Sequence, residues 1–285
     1  MTTRRPSLRC GDRVLPLGTR TFIMGIVNVT PDSFSDGGRY VDLTAAVAHA
    51  EALLAAGADI IDIGGESTRP GATPVDVDLE VARVVPVIEA LVSRGHTALS
   101  VDTRHAAVAA AALKAGAAWV NDVSAFDDVD MGRVCRDAQA VVLMHWRHAP
   151  AGAVDDDVVD DDVSASVRTW LADRVVRAVA AGVDPASIVV DPGIGFGKTV
   201  AHNVSLSRDL DGLRRATGAA AVLYGPSRKR FLGALTGQTD PAARDHATIG
   251  AVCAAIAGGA DVVRVHQVAA VKDAVAVADA ILRAR

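Results

Sequence analysis

Polar residues that can bind a ligand or hold charge follow eight short apolar segments of this 285-residue sequence. These residues are Asn28, Asp62, Asp102, Asn121, Asp122, His145, Asp191, Ser227, Lys229, Arg264 and His266. One polar residue at the end of an apolar segment is often structural. Polar groups after all eight segments instead indicate the binding and reaction site of an enzyme.

The polar residues divide into hydrogen-bond acceptors and cations. Asp102, Asn121 and Asp191 have short acceptor side chains, which suit a heterocycle whose edge is rich in N–H groups. A carboxylate accepts two parallel bonds from an edge with a 2-amino group beside N3–H, and each charge-assisted bond contributes about 1.5–3 kcal/mol. The cationic set consists of Arg69, Arg228, Lys229, Arg264 and His266. Together with the glycine pairs at 37–38 and 64–65, this set predicts a phosphate or diphosphate group in the ligand.

The eight apolar segments predict the strands that position these side chains. They span residues 22–28, 59–65, 98–103, 119–124, 140–145, 187–192, 220–225 and 262–266. Segments such as Ile188-Val189-Val190 are apolar at consecutive positions, which is typical of strands in a parallel sheet that helices cover. Eight strand–helix repeats favour an α/β fold, a single (β/α)8 TIM-type barrel, over an open doubly wound sheet. In such barrels the active site lies at the C-terminal ends of the strands, where the polar residues fall.

The first twenty residues precede the strand–helix repeats. Residues 8–10 and 14–17 flank the turn dipeptide Gly11-Asp12, which predicts a β-hairpin. We expect residues 1–20 to form this hairpin and to cap the bottom of the barrel. No segment has the composition of an interdomain linker, so we expect residues 1–285 to form a single domain.

Charge and cysteine content exclude several classes of protein. The formal net charge of −5 gives no reason to expect nucleic acid or an anionic membrane as a partner. No apolar run reaches the roughly 18 residues that a membrane span needs. The three cysteines are isolated, and the basic N-terminus is not followed by an apolar stretch. We therefore expect no disulfides, no secretory signal and a cytoplasmic location.

Several motifs have a second interpretation. Residues 193–199 imitate a P-loop, but Pro192 stands where the first glycine is required. His145 and His148 are three positions apart on a strand end and project to opposite faces, which disfavours a shared metal site. The acidic residues 155–162 suit the start of a helix better than a magnesium–diphosphate motif. Asp62 could face a ligand or could support Asp102 or the loop, and the sequence leaves these roles open.

Five motifs resemble those of the dihydropteroate synthase family. They are residues 28–38 (NVTPDSFSDGG), 64–71 (GGESTRPG), 191–198 (DPGIGFGK), 227–229 (SRK) and 264–266 (RVH). The resemblance runs from about residue 22 to the end of the chain and keeps the order and spacing of the motifs. It implies a folate-pathway transferase that joins (7,8-dihydropterin-6-yl)methyl diphosphate to 4-aminobenzoate and releases diphosphate. It also implies Mg²⁺ as a cofactor and a homodimer.

The resemblance implies a role for each matching residue. The residues that it assigns to the pterin are Asp102, Asn121, Asp191 and Lys229. Those assigned to the diphosphate are Thr68, Arg264 and His266, with Asn28 as the ligand of Mg²⁺. Those assigned to the aminobenzoate pocket are Arg69, Pro70, Phe196, Ser227 and Lys229. The residues expected to act in catalysis are Asp102, Asp191, Lys229, Arg264 and His266. Pro226 and Gln267 depart from the family's pattern, and Pro226 removes a backbone N–H near the aminobenzoate site.

The implied reaction has a plausible chemical course. An electron-rich pterin can delocalise positive charge, so we expect ionisation before attack, no covalent intermediate, and loops 30–40 and 67–75 that exclude water. Two other functions fit part of the pattern. A related barrel could bind a folate and transfer a methyl group to a corrinoid partner. A catalytically silent paralogue could bind a pterin or a partner synthase without turnover.

Overall fold

The computed structural model of the chain describes residues 5–29, 39–67, 74–146 and 162–283, and the side chains of all of these except 39–42. Eight parallel strands close into a barrel in the order β10-β3-β4-β5-β6-β7-β8-β9. The strands are β3 (Phe22–Asn28), β4 (Ile60–Gly64), β5 (Leu99–Asp102), β6 (Trp119–Asp122), β7 (Ala140–Met144), β8 (Ile188–Asp191), β9 (Ala221–Tyr224) and β10 (Val262–Val265). The predicted barrel is confirmed, and each observed strand lies within two residues of its predicted ends.

Helices surround the barrel in the described parts of the chain. They are α1 (Arg39–Ala55), α2 (Val77–Ser93), α3 (Ala106–Ala115), α4 (Met131–Val134), α5 (Val163–Ala180), α6 (Val200–Leu206), α7 (Leu210–Thr217), α8 (Arg230–Thr236), α9 (Asp245–Ala257) and α10 (Val268–Arg283). None of them combines the length and the apolar character that a membrane crossing requires.

The predicted hairpin is confirmed as two antiparallel strands, β1 (Ser7–Cys10) and β2 (Arg13–Pro16). Its buried Leu8 and Leu15 belong to one apolar cluster with Trp119, the first residue of β6. The Trp119 indole Nε1 donates to the carbonyl oxygen of Arg9 at 2.6 Å. The hairpin therefore packs against the N-terminal ends of the strands, opposite the end where the polar residues lie.

Side chains alternate between two cores along every barrel strand, because successive residues of a strand point to opposite faces. In β4, Ile61 and Ile63 pack in the cluster between strands and helices, while Ile60 belongs to the cluster inside the barrel. Asp62 shares the phase of Ile60 and therefore lies inside. The same phase places Asn28, Asp102, Asn121, Asp191 and Arg264 inside the barrel. Apolar residues fill the lower interior, and these polar residues form a layer above them.

Candidate active site

Arg264 lies at the centre of the polar layer. Its Nε donates to Asp62 Oδ2 at 2.6 Å, and its Nη2 donates to Asp102 Oδ2 at 2.5 Å. Asn121 Nδ2 donates to the same Asp62 oxygen at 2.9 Å. Strands β4, β5, β6 and β10 thus meet through one guanidinium, two carboxylates and one amide.

Burial and charge act in opposite directions on this group. Burial raises the pKa of Asp102, and the Arg264 guanidinium lowers it while the Asp62 carboxylate raises it further. Although burial opposes protonation of the guanidinium, Asp62 and Asp102 hold the pKa of Arg264 above its ordinary value. An ion pair in a poorly hydrated interior is stable only when both charges are well paired. Arg264 is therefore a fixed cation, with its charge balanced by two carboxylates.

A second cation, Lys229, comes from the segment after β9, the strand that pairs with β10. Lys229 Nζ is 4.4 Å from the centroid of the Phe196 ring and donates a hydrogen bond to the Ile194 carbonyl oxygen. Burial lowers the pKa of Lys229 to about 8, while the Asp191 carboxylate acts to raise it. Burial also raises the pKa of Asp191, with Lys229 opposing the shift. The opposite charges of Asp191 and Lys229 therefore act against the effect of burial on each other.

His266 is held by the segment after β9. Its Nδ1 lies 2.9 Å from Ser227 Oγ, and its backbone N–H donates to the same hydroxyl at 3.2 Å. Ser227 is 6% exposed. The hydroxyl thus fixes the ring of His266 at the rim, beside the strand that carries Arg264.

Arg228 was expected in the cationic set of the rim, but its guanidinium is already paired. It donates to both carboxylate oxygens of Asp245, at 2.8 and 2.9 Å. Its backbone has φ of +60°, and its carbonyl oxygen accepts from Arg244 Nη1 at 3.0 Å. This left-handed conformation accompanies a turn in which Arg228 reaches α9 while Lys229 faces the barrel. Lys229 is therefore the cation that this segment contributes to the polar layer.

Asn28 ends strand β3, and its side chain is half-buried. No described residue forms a hydrogen bond with that side chain. Mg²⁺ in proteins takes oxygen ligands, keeps several waters, and is often held by one or two protein groups together with a substrate phosphate. A single amide oxygen at the rim, with cations on a nearby strand to share a diphosphate, fits an ion of this kind.

Asp122 and His145 serve the frame of the site. Asp122 accepts from the backbone N–H of Ser124 at 2.8 Å and of Phe126 at 2.7 Å, and so holds a turn in which Phe126 has φ of +70°. His145 Nδ1 lies 3.0 Å from Lys198 Nζ, which also donates to carbonyl oxygens of the loop after β8. Lys198 received no role of its own from the sequence, although it ends the motif at 191–198 and falls in the false P-loop. A lysine that follows three alternating glycines, whose carbonyl oxygens are accessible, was the signal that could have revealed it.

Glu66, Glu80 and His105 bring possible metal ligands within 4.8 Å of one another. Each of them already has a hydrogen-bonding partner among the described residues. Glu80 is fully buried and pairs with His105 Nδ1 at 2.7 Å, and Glu66 accepts two bonds from Arg104 at 2.8 and 3.0 Å. These pairs join the segments that follow β4 and β5, so we assign them to the frame of the rim.

Some predicted features lie outside the described residues. They are Thr68, Arg69, Pro70, His148, residues 155–161, and most of the two loops at 30–40 and 67–75. Their roles stay predictions from the sequence.

Comparisons with known proteins agree with this geometry. Residues 24–266 match the family model of pterin binding enzymes. The chain is 42% identical to a dihydropteroate synthase of Synechocystis over 98% of this chain and 96% of that protein. It is 48% identical to the dihydropteroate synthase of Mycobacterium leprae over 92% and 94% of the two chains.

Solved structures give the same result. A Xanthomonas albilineans dihydropteroate synthase with 4-aminobenzoic acid superimposes with a TM-score of 0.88, at 46% identity and over 97% of this chain and 98% of that one. A complex of the Xanthomonas albilineans enzyme with 7,8-dihydropteroate has a TM-score of 0.85, at 44% identity and the same coverage. The resemblance found in the motifs is therefore confirmed over nearly the whole chain, and the chain belongs to the dihydropteroate synthase family of pterin-binding enzymes, which are transferases of folate biosynthesis.

Proposed function

We propose that this chain transfers the dihydropterin-6-ylmethyl group from (7,8-dihydropterin-6-yl)methyl diphosphate to 4-aminobenzoate, forming 7,8-dihydropteroate and diphosphate. One observation carries the proposal. A single layer inside the barrel combines the acceptors Asp102, Asn121 and Asp191 with the cations Arg264 and Lys229. Acceptors suit the pterin edge, and cations suit the diphosphate. The complexes of related synthases with 4-aminobenzoic acid and with 7,8-dihydropteroate support the same pair of ligands.

The acceptor side of the layer would bind the pterin. Asp102 Oδ1 is buried and has no hydrogen-bond partner in the described structure. Leaving a buried acceptor unpaired destabilises the protein by about 1–3 kcal/mol. An N–H group of the ligand that donates to this oxygen would remove that cost. Asn121 and Asp191 add further acceptors, and Lys229 adds a donor for a ring carbonyl or ring nitrogen.

The cationic side would bind the diphosphate. Arg264 and His266 lie on β10 and just after it, and Asn28 ends the neighbouring strand β3. With Thr68, which the motif match adds, these residues would hold the leaving group, and Asn28 would be the protein ligand of Mg²⁺. When bound, the ion supplies positive charge that offsets the charge of the departing diphosphate.

The second substrate would bind between Phe196, Ser227 and Lys229, with Arg69 and Pro70 from the motif after β4. The ring of Phe196 offers an aromatic face, and Lys229 lies over that same ring. A carboxylate with an attached aromatic ring is complementary to this combination of cation, hydroxyl and aromatic side chain.

The reaction that we infer begins with ionisation. The bond between the pterin methylene carbon and the diphosphate oxygen breaks, and its electron pair leaves with the diphosphate. Asp102 and Asp191 place negative charge near the ring and so stabilise the developing cation. The amino nitrogen of 4-aminobenzoate then forms the new C–N bond and loses a proton. This course needs no nucleophile from the protein, and we expect no covalent intermediate.

An assay of the purified protein tests the proposal. We expect diphosphate release that requires both 4-aminobenzoate and Mg²⁺, with 7,8-dihydropteroate identified by mass. Methyl transfer from a methylated folate to a corrinoid would favour the related methyltransferase. Pterin binding without turnover would favour a silent paralogue. The homodimer stays a prediction of the family resemblance, and the cytoplasmic location stays a prediction from the cysteine content.

A further inference from the structure

Asp62 links two proposed ligand-binding residues without being exposed itself. Its side chain is fully buried inside the barrel at the end of β4. One oxygen, Oδ2, accepts from Arg264 Nε at 2.6 Å and from Asn121 Nδ2 at 2.9 Å. These partners come from β10 and β6, each two strands away from β4 on opposite sides. A residue in this position acts on a ligand through its neighbours.

The bond to Asp62 fixes which end of the Asn121 amide is available. An amide has one donor end and one acceptor end, whereas a carboxylate only accepts. Turning the Asn121 amide over would bring its oxygen against Asp62 Oδ2, which would leave two acceptors in contact and the carboxylate with Arg264 as its remaining donor. The amide nitrogen is therefore committed to Asp62. Asn121 Oδ1 has no donor among the residues that the structure describes, so it remains for a ligand.

Asp62 fixes Arg264 in a comparable way. Nε is committed to Asp62 and Nη2 to Asp102, while no described residue accepts from Nη1. Because the guanidinium is planar and its five N–H groups have fixed directions, two of its nitrogens determine where the third points. One buried carboxylate thus sets the orientation of a neutral amide and of a cation.

We propose that Asp62 is a positioning residue that sets the selectivity of the pocket for donor-rich heterocycles. By committing Nδ2 of Asn121, it makes Asn121 an acceptor like Asp102 and Asp191. The pocket then accepts an edge with an amino group beside a ring N–H, and it rejects an edge with a carbonyl at the same place. This inference rests on the proposed function, since it takes the ligand to be a pterin.

Two probes that differ in one group isolate this effect. Pterin has a 2-amino group, which donates, and lumazine has a 2-oxo group, which accepts. Their dissociation constants are measured by fluorescence quenching or calorimetry on the full chain. We expect the wild-type protein to prefer pterin strongly, because a site built to accept from a donor discriminates sharply against an analogue that lacks it.

The variant Asp62→Leu keeps the branched shape of the side chain but has no oxygen, so Asn121 Nδ2 loses its acceptor. Asn121 is then free to turn over and donate to a carbonyl. We expect the ratio of the two dissociation constants to fall by at least about tenfold, through weaker pterin binding with lumazine binding retained or improved. Asp59→Leu is the matched control, because Asp59 immediately precedes the same strand but pairs with Arg20 at the other end of the barrel. It should leave the ratio unchanged.

The double variant Asp62→Leu with Asn121→Asp makes residue 121 an acceptor without the help of residue 62. A carboxylate at 121 can only accept from a ligand, and the total charge of the two positions is unchanged. We expect the preference for pterin to return, and this variant also tests the inference if the single variant does not fold. A ratio that stayed at the wild-type value in Asp62→Leu, or that the double variant did not restore, would overturn the inference alone. A wild-type protein that bound neither probe would overturn the proposed function together with it.

Discussion

Arg264 Nη2 donates to Asp102 Oδ2 at 2.5 Å, across a sequence separation of 162 residues. The bond joins a cation that we assign to the diphosphate to a carboxylate that we assign to the pterin. The two halves of the proposed reaction site are therefore coupled through a direct ion pair. A change on one side should be measurable on the other.

Replacing Arg264 should damage both stability and turnover. In Arg264→Leu the buried carboxylates of Asp62 and Asp102 lose their cation, and breaking a buried pair in this way costs about 3–5 kcal/mol. Urea denaturation measures the free energy of unfolding. Arg94→Leu is the control, because Arg94 and Glu51 are both substantially exposed and such pairs contribute about 0–1 kcal/mol. Equal losses in the two variants would contradict the assignment of Arg264 to a buried centre.

Lys229→Ala should raise the KM for the pterin diphosphate strongly. The substitution removes a donor for the pterin and the positive charge that lowers the pKa of the buried Asp191 carboxylate. Steady-state kinetics at saturating 4-aminobenzoate measure the effect. Lys114→Ala, at the end of α3, removes an equal charge from an exposed position and should have no effect. A wild-type KM in Lys229→Ala would argue against the pterin assignment.

The activity should fall as the pH rises through about 8. Burial lowers the pKa of Lys229 to about 8, so its ammonium group is present below this pH and is lost above it. If the cation is required, kcat/KM for the pterin diphosphate decreases on the alkaline side with a midpoint near this value. Lys229→Arg keeps its charge to much higher pH, and its residual activity should lack this decrease. If kcat/KM of Lys229→Arg also decreased with a midpoint near pH 8, a group other than Lys229 would be responsible for the decrease.

Sulfonamides should compete with 4-aminobenzoate, as expected if the aminobenzoate carboxylate and ring bind at Phe196, Ser227 and Lys229. A related synthase of Yersinia pestis has been solved in complex with a sulfonamide drug. Phe196→Ala removes the ring that lies under Lys229. Since a cation–π contact contributes about 0.5–2 kcal/mol, we expect the KM for aminobenzoate to rise by about 2-fold to 30-fold, with a parallel rise in the inhibition constant. Non-competitive inhibition would contradict the pocket.

The sequence by itself determined the strands, the barrel and the family. Strands that are buried on both faces are apolar at consecutive positions, as in Ile188-Val189-Val190, and this local property needs no knowledge of distant contacts. The motifs at 191–198 and 227–229 are equally local. The chemical types of the site residues were therefore visible in the sequence, and so was their place at the ends of strands.

Only the tertiary structure decided which of these residues are partners. Asp62 and Arg264 lie 202 residues apart in the sequence, and closure of the barrel brings them together. Arg228 and Lys229 are adjacent cations, yet the left-handed backbone of Arg228 accompanies its pairing with Asp245 while Lys229 lies over the Phe196 ring. A sequence gives the type of each side chain, but hydrogen-bond partners depend on strand phase, register and closure, which many distant contacts determine jointly.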